Sequence, residues 1–339
     1  MNETIPPIVA PVGTTVSAYK DRSTGLVVFG ILTLLLGVLC GLLVPLIIFS
    51  QMVAARSAQG TTNPASILPI VAVYGVMAVA LIWLGIGSIK ARRWARALLL
   101  IFSWSWLVMG VFMLVGMMFI MPKVLANAPS AGTAQQQHAL PPGAMTAVMV
   151  FMFLFFGVFF VLVPAIWVFF YNSRHVQATC EARDGVTRWT DACPLPVLGL
   201  CVWLMLSVPM MLLMPLAGHG VMPFFGIFLT GMAGSLFCLL VAAVWAYAAW
   251  LMYHLKPLGW WLIMVAMIVF MASSLLTFAR HDILEMYQLM GYPQAQIDQI
   301  QKVGLLTGNR MSWLMGLSAL PFLIYVIFVK KYFPASNPK

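Results

Sequence analysis

The sequence predicts an all-α integral membrane protein, with about eight transmembrane helices arranged as two tandem, parallel four-helix repeats. Three observations carry that reading. The 339-residue chain is 63% hydrophobic and only 8% charged, against roughly 25% charged in a soluble domain, so most of its surface needs a bilayer as solvent. Uncharged apolar runs recur at about the length, roughly 20 helical residues, that crosses about 30 Å of hydrocarbon. Segments of the first half also return in the second half in the same order.

The runs are Leu26–Phe49, Ile67–Ile89, Ala97–Met121, Ala144–Tyr171, Leu195–Ala217, Met222–Tyr253, Leu258–Phe278 and Met311–Phe328. None contains Asp, Glu, Lys, Arg or His. The sixth is over-long and is expected to tilt or extend past the membrane; the eighth is the shortest. A β-barrel would show alternating segments of about ten residues instead. The first run exceeds a secretory h-region, and the proline-bearing "NETIPPIVAPVG" before it is not a basic n-region, so it is expected to be retained.

Charge sets the orientation. With the N-terminus inside, Lys20, Arg22, Lys90, Arg92, Arg93, Arg96, Arg174, Arg183, Arg188, Lys256, Lys330, Lys331 and Lys339 share one side. Arg56, Lys123, Arg280, Lys302 and Arg310 take the other. This positive-inside bias predicts an inner (plasma) membrane protein with both termini cytoplasmic. It also accounts for the net charge of +10 without nucleic acid. "KARRW" (Lys90–Trp94) becomes a tight cytoplasmic hairpin, with Trp94 expected in the headgroup belt. An anionic-lipid site there is the functional alternative.

The repeat rests on three collinear anchors. Lys90 and Trp94 match Lys256 and Trp260 at an offset of 166. Asp21–Leu46 lies ungapped over Asp191–Leu216 at an offset of 170, with Asp21 over Asp191 and Pro45 over Pro215. "PAIWVFFYNSR" from Pro164 matches "PFLIYVIFVKK" from Pro321. An even number of spans per unit leaves both copies in the same orientation, related by an axis along the membrane normal. The organisation that follows is a tail 1–25, a first unit 26–175, a link 176–193, a second unit 194–333 and a tail 334–339. Within the second unit, 280–310 reads as an outer helical hairpin: Ile283, Met286, Tyr287 and Met290 recur at helical spacing, and Gly291 can end that helix.

Candidate chemistry is sparse. Intramembrane charge, the usual mark of ion coupling or proton relay, is missing from every run. His281, Asp282 and Glu285 share a helical face but fall short of a usual zinc set. Met113, Met117 and Met121, with Met210, Met211 and Met214, form thioether ladders that would suit Cu(I); methionine is also an adaptable packer. Cys180 and Cys193 lie near His175 in the link, where reduced thiols are expected. Gly37 with Gly41, and Ala242 with Ala246, are small-xxx-small pairs for close helix contact.

The sequence therefore assigns no catalytic, cofactor-binding or metal-binding residue and no cofactor. It points to a non-enzymatic assembly or regulatory component of a membrane complex, whose partners are the bilayer and another membrane protein or a second copy. The alternative is a carrier or passive pathway for a small apolar or lipid-like substrate at the interface of the two repeats, where Pro45 and Pro215 could break paired helices.

Overall fold

The computed structural model describes residues 20–57, 68–127, 142–292, 294, 297–298, 301 and 309–333. Helices α1 (Ser23–Ser57), α2 (Leu68–Ile89) and α3 (Arg93–Asn127) are followed by α4 (Pro142–Gly157), which runs through a π turn, Val158–Leu162, into α5 (Val163–Asn172). A short helix α6 (Arg174–Arg183) and a 3₁₀ turn (Trp189–Asp191) lead to α7 (Leu195–Gly218). Strands β1 (Met222–Phe224) and β2 (Ile227–Leu229) precede α8 (Gly231–Tyr253), α9 (Pro257–Arg280), α10 (Ile283–Leu289) and α11 (Asn309–Val329).

Seven stretches among the described residues are long and apolar enough to cross a membrane. They are Ser23–Ser50, Ile70–Ile89, Arg93–Phe119, Thr146–Asn172, Leu195–Leu216, Gly231–Tyr253 and Pro257–Arg280. The molecule is thus an all-α, multi-pass membrane protein. In hydrocarbon a helix satisfies each of its own backbone polar groups, so uninterrupted Leu, Val, Ala and Met suffice to specify it. The eighth expected span is a helix, α11, though not one of the seven.

The sixth run extends past its helix, one of the two outcomes expected of it. Met222–Tyr253 is not one tilted helix: its first residues form an antiparallel β-hairpin, with Met222 opposite Leu229 and Phe224 opposite Ile227. Phe225 (φ 42°) and Gly226 (φ 92°) both turn left-handed, as a two-residue hairpin turn of the primed type requires. The hairpin is pinned to α9, because Phe225 N–H donates to Ser273 Oγ (2.9 Å) and Gly226 N–H to Thr277 Oγ1 (3.0 Å).

Prolines act locally. Helices α1 and α7 run unbroken through Pro45 and Pro215, so neither makes the broken helix considered from sequence. Pro164 does perturb its helix. It has no N–H for the carbonyl of Phe160 one turn earlier, and the backbone there opens into the π turn. Gly110 of α3 faces that carbonyl so closely that any Cβ would collide with it.

Three cores organise the packing. Leu26 of α1, Leu84 of α2, Ala95 and Leu99 of α3, Val168 and Tyr171 of α5 and Val176 of α6 form one. Val197 and Leu200 of α7, Ala248 and Met252 of α8, Trp260 and Ile263 of α9 and Val326 and Val329 of α11 form another. The third joins them: Ala97 and Ile101 of α3 against Cys193 and Leu198. Helix α1 lies against α2 by backbone approach at Gly30, Gly37 and Gly85, where an added Cβ would fall within 3.0 Å of the neighbouring helix. Gly41 meets only ordinary contact, at 3.7 Å from Ala78.

The α2–α3 and α8–α9 turns have the same backbone hydrogen bonds. Ala91 N–H donates to Ser88 O and Arg92 N–H to Gly87 O (2.8 and 2.9 Å). Leu255 N–H donates to Met252 O and Lys256 N–H to Leu251 O (2.9 and 3.0 Å). Both are Schellman caps, with Ala91 at φ 51° and Leu255 at φ 53°. The two left-handed residues are 164 apart in sequence, whereas Trp94 and Trp260 are 166 apart.

Candidate functional site

The seam between the two cores, at the end where α3 and α7 begin, holds the densest polar chemistry in the described structure. Its frame is the turn that "KARRW" encodes. Asp184, just past α6, has a fully buried side chain. Its Oδ1 accepts from Arg92 Nη1 at 3.1 Å, its Oδ2 accepts from the Arg93 N–H at 3.3 Å, and Arg188 Nε lies 3.9 Å away. A carboxylate at the first turn of α3 also complements the helix dipole. The arginine cluster therefore fastens the link to the helix hairpin. Lys90 is exposed.

Trp94, at the start of α3, turns into the protein rather than outward into a headgroup belt. It is only 8% exposed and stacks on Trp83 (centroids 4.0 Å). Its ring sits beside Gly87, where a Cβ would be 2.8 Å from it. Trp83, about half exposed, takes the outward place.

Beside this frame a cavity of about 200 Å³ opens among Arg93, Arg96, Ala97, Gln177, Cys180, Glu181, Thr190, Asp191, Cys193 and Leu195. Arg96 Nε donates to Tyr171 O at 3.0 Å and its Nη2 reaches Gln177 Oε1 at 3.4 Å. Arg93 Nη2 lies 3.5 Å from Asp191 Oδ1. Gln177 donates on to Glu181 (2.9 Å). Thr190 is 4% exposed, and its Oγ1 is buried without a hydrogen-bond partner among the described residues. Cys180 and Cys193 line the same space, and burial pushes each thiol up to about 11. The third cysteine of this region, Cys201, donates to Ala249 O inside the helices.

The seam below the cavity is apolar: Ala97, Ile101, Leu198 and Cys193 pack with Leu195 and Val202. A polar contact crosses it, Trp203 Nε1–H to Ser105 Oγ at 2.7 Å. Tyr253 of α8 ties the link from the other unit, donating to Trp189 O (3.0 Å).

At the opposite end, the His281 trio is occupied by the fold. His281 Nδ1 pairs with Glu285 Oε2 (2.8 Å), and its Nε2 reaches Gly226 O in the β-turn (3.1 Å). Asp282 caps α10 by accepting from Leu284 N–H. Among the described residues no three His, Cys, Asp or Glu side chains converge as a metal set. Met113 and Met210 point outward, at 46% and 42% exposure; the side chain of Met121 lies outside the described residues. His175 accepts from the Lys20 N–H rather than joining the cysteines.

The outer hairpin is described in part. Helix α10 ends at Gly291 (φ 76°) in another Schellman cap. Ile283 and Ile297 are 3% and 2% exposed, and a Cβ added to Gly218, at the end of α7, would lie 3.5 Å from Met290. The helical residues Gln294, Asp298 and Gln301 face outward.

The cavity was not legible from sequence, because its lining comes from α3, α6, the 3₁₀ turn and α7. The only local signal was acidic residues in the link beside an arginine-rich turn. No family model, no curated protein and no solved structure matches the chain.

Proposed function

We propose that this chain is a non-enzymatic assembly or regulatory component of a membrane complex. The observation that carries the reading is the apolar seam below the cavity, closed by packing and bridged by a hydrogen bond. Ala97, Ile101 and Leu198 interdigitate there, Trp203 bonds Ser105, and Asp184 fastens the link. A carrier moving its substrate between the two units would need that surface to part. Apolar faces turn outward on α1 and α4, where Leu42, Phe49, Phe151 and Leu154 are each more than three-fifths exposed. Those faces meet lipid or a partner helix.

In this reading α11 is the eighth span, both termini are cytoplasmic in an inner (plasma) membrane, and the chain is two parallel four-helix units. The two Schellman turns support the duplication. So does a second pair of contacts. Tyr171 of α5 reaches the Leu26 carbonyl through Ser88 Oγ (2.8 and 3.0 Å), while Tyr325 of α11 donates directly to Pro196 O (2.7 Å). Leu26 and Pro196 are equivalent at the offset of 170. Likewise Arg96 and Trp260, equivalent at 164, each donate from the second turn of a helix to a carbonyl of the unit's last helix.

Affinity purification of the tagged chain in mild detergent, beside vesicle flux measurements on the pure protein, tests the function. A reproducible stoichiometric partner and inactive vesicles are expected. Lipid or solute movement by the pure chain would replace this reading with the carrier. Reporter fusions at Lys339 and within 122–143 test the topology, and an external Lys339 would refute the eight-span, parallel arrangement.

A further inference from the structure

We infer that the cavity between α3, α6 and α7 is a binding site for a phosphoethanolamine group, a phosphate and a primary ammonium on a short link. The inference is independent of the function proposed above. Size comes first. About 200 Å³ is below the roughly 300–1,000 Å³ of drug-sized sites and several times the about 30 Å³ that one water occupies in the liquid. That is the scale of a small headgroup.

Charge comes second. Arg96 bonds only neutral acceptors, the Tyr171 carbonyl and the Gln177 amide, and its Nη1 has no hydrogen-bond partner among the described residues. A guanidinium with open donors matches a phosphate by its fork geometry. Arg93 adds a second guanidinium, itself held near Asp191. On the rim, Glu181 is bonded by the Gln177 amide and forms no ion pair among the described residues, so it is free to meet a cation. A purely anionic ligand would leave Glu181 without a counter-charge, whereas Asp191 already pairs with Arg93. A ligand carrying both signs satisfies the whole lining.

The third observation points independently to a ligand. Thr190 lines the cavity, its Oγ1 is buried with no partner among the described residues, and such a group costs roughly 1–3 kcal/mol if left unmet. A phosphate oxygen in the cavity would accept its proton. The position agrees, because the membrane-crossing stretches Arg93–Phe119 and Leu195–Leu216 both start at the cavity, which places it at headgroup level. Trp189, about half exposed beside Thr190, suits that boundary.

The test titrates delipidated, detergent-purified full-length protein with short-chain phosphatidylethanolamine, phosphatidylglycerol, phosphatidylcholine and free O-phosphoethanolamine, counting bound molecules by native mass spectrometry. One phosphatidylethanolamine per chain is expected. Phosphatidylcholine, whose quaternary ammonium donates no hydrogen bond, should bind at least about tenfold more weakly, the equivalent of one charge-assisted hydrogen bond. Arg96→Gln should weaken binding at least about tenfold. Because Arg96 also bonds Tyr171, the near-isosteric Thr190→Val serves as a second variant, with a melting temperature of the delipidated protein no lower than the wild type's and a loss of about tenfold in binding. Glu181→Gln should shift preference toward phosphatidylglycerol, and Arg174→Gln, exposed at the same end, should change nothing. Lipid binding about tenfold tighter than free O-phosphoethanolamine assigns a membrane source; equal affinity assigns a soluble one, and both sustain the site. Equal binding of all three headgroups, preference of the wild type for phosphatidylglycerol, or full binding by Arg96→Gln and Thr190→Val would overturn it.

Discussion

Arg92 Nη1 and Asp184 Oδ1 lie 3.1 Å apart, and the carboxylate is fully buried while the guanidinium is two-fifths exposed. The asymmetry tells which partner matters. Water can rehydrate Arg92, but nothing replaces the donors to Asp184. Asp184→Asn should therefore destabilise the protein by roughly 2 kcal/mol, the scale for losing charge-assisted bonds at a buried site. Lys90→Ala, at an exposed side chain two residues from Arg92, should stay within about 0.5 kcal/mol. Melting in detergent compares the two. Equal shifts would mean that the arginine cluster serves orientation alone.

Gly110 gives a sharper contrast. A methyl there would drive into the Phe160 carbonyl freed by Pro164, so Gly110→Ala should cost about 1–3 kcal/mol as overpacking. On the same helix, a Cβ added to Gly116 would meet no atom within 4 Å. Gly116→Ala should be neutral or stabilise by up to about 1 kcal/mol through helix propensity. Opposite signs in the two melts are expected; a harmless Gly110→Ala would refute the close approach at the π turn.

The reach of the sequence follows from the same physics. Seven helices were legible because a bilayer demands long uncharged runs, and Leu26–Phe49 or Leu258–Phe278 carry no competing signal. The hairpin at Met222–Leu229 was not, since an evenly apolar stretch has no period to separate strand from helix; Phe225–Gly226 was its one turn signal. Trp94 was read by its class preference and is instead buried by Gly87, a neighbour seven residues away. The cavity was hidden for a further reason. Thr190 and Arg96 are ordinary residues until the link folds back across the first turn of α3.

The link thiols give a pH signature. Burial raises Cys180 and Cys193 to about 11, from an ordinary value near 9. Between those values the unfolded chain has lost both protons and the folded chain keeps them. Folding then binds protons, so stability is intact below about pH 9 and falls as pH rises toward 11. The melting temperature in detergent should decline across that window, and the Cys180→Ser, Cys193→Ser double variant should decline less. At pH 7.5 both native thiols should resist a water-soluble maleimide, while the denatured chain labels. Rapid native labelling of either would contradict their burial.

The paired turns allow one backbone strain to be tested in two settings. Ala91 and Leu255 both sit left-handed, at φ 51° and 53°, a conformation that costs a residue with a Cβ roughly 1–2 kcal/mol. Glycine removes that cost but loses more entropy on folding. Ala91 has only a methyl to lose, so Ala91→Gly should raise stability by about 0.5–1 kcal/mol. Ala91→Val, which brings a β-branched side chain into the same conformation, should lower it by more than about 1 kcal/mol. Leu255 packs its side chain against the second core and the seam. The same relief at Leu255→Gly should be outweighed by lost burial, about 2 kcal/mol for a largely buried leucine, and the variant should melt lower. Thermal melts of the three variants decide the matter: a destabilised Ala91→Gly would mean that the turn is held by something other than its Schellman bonds.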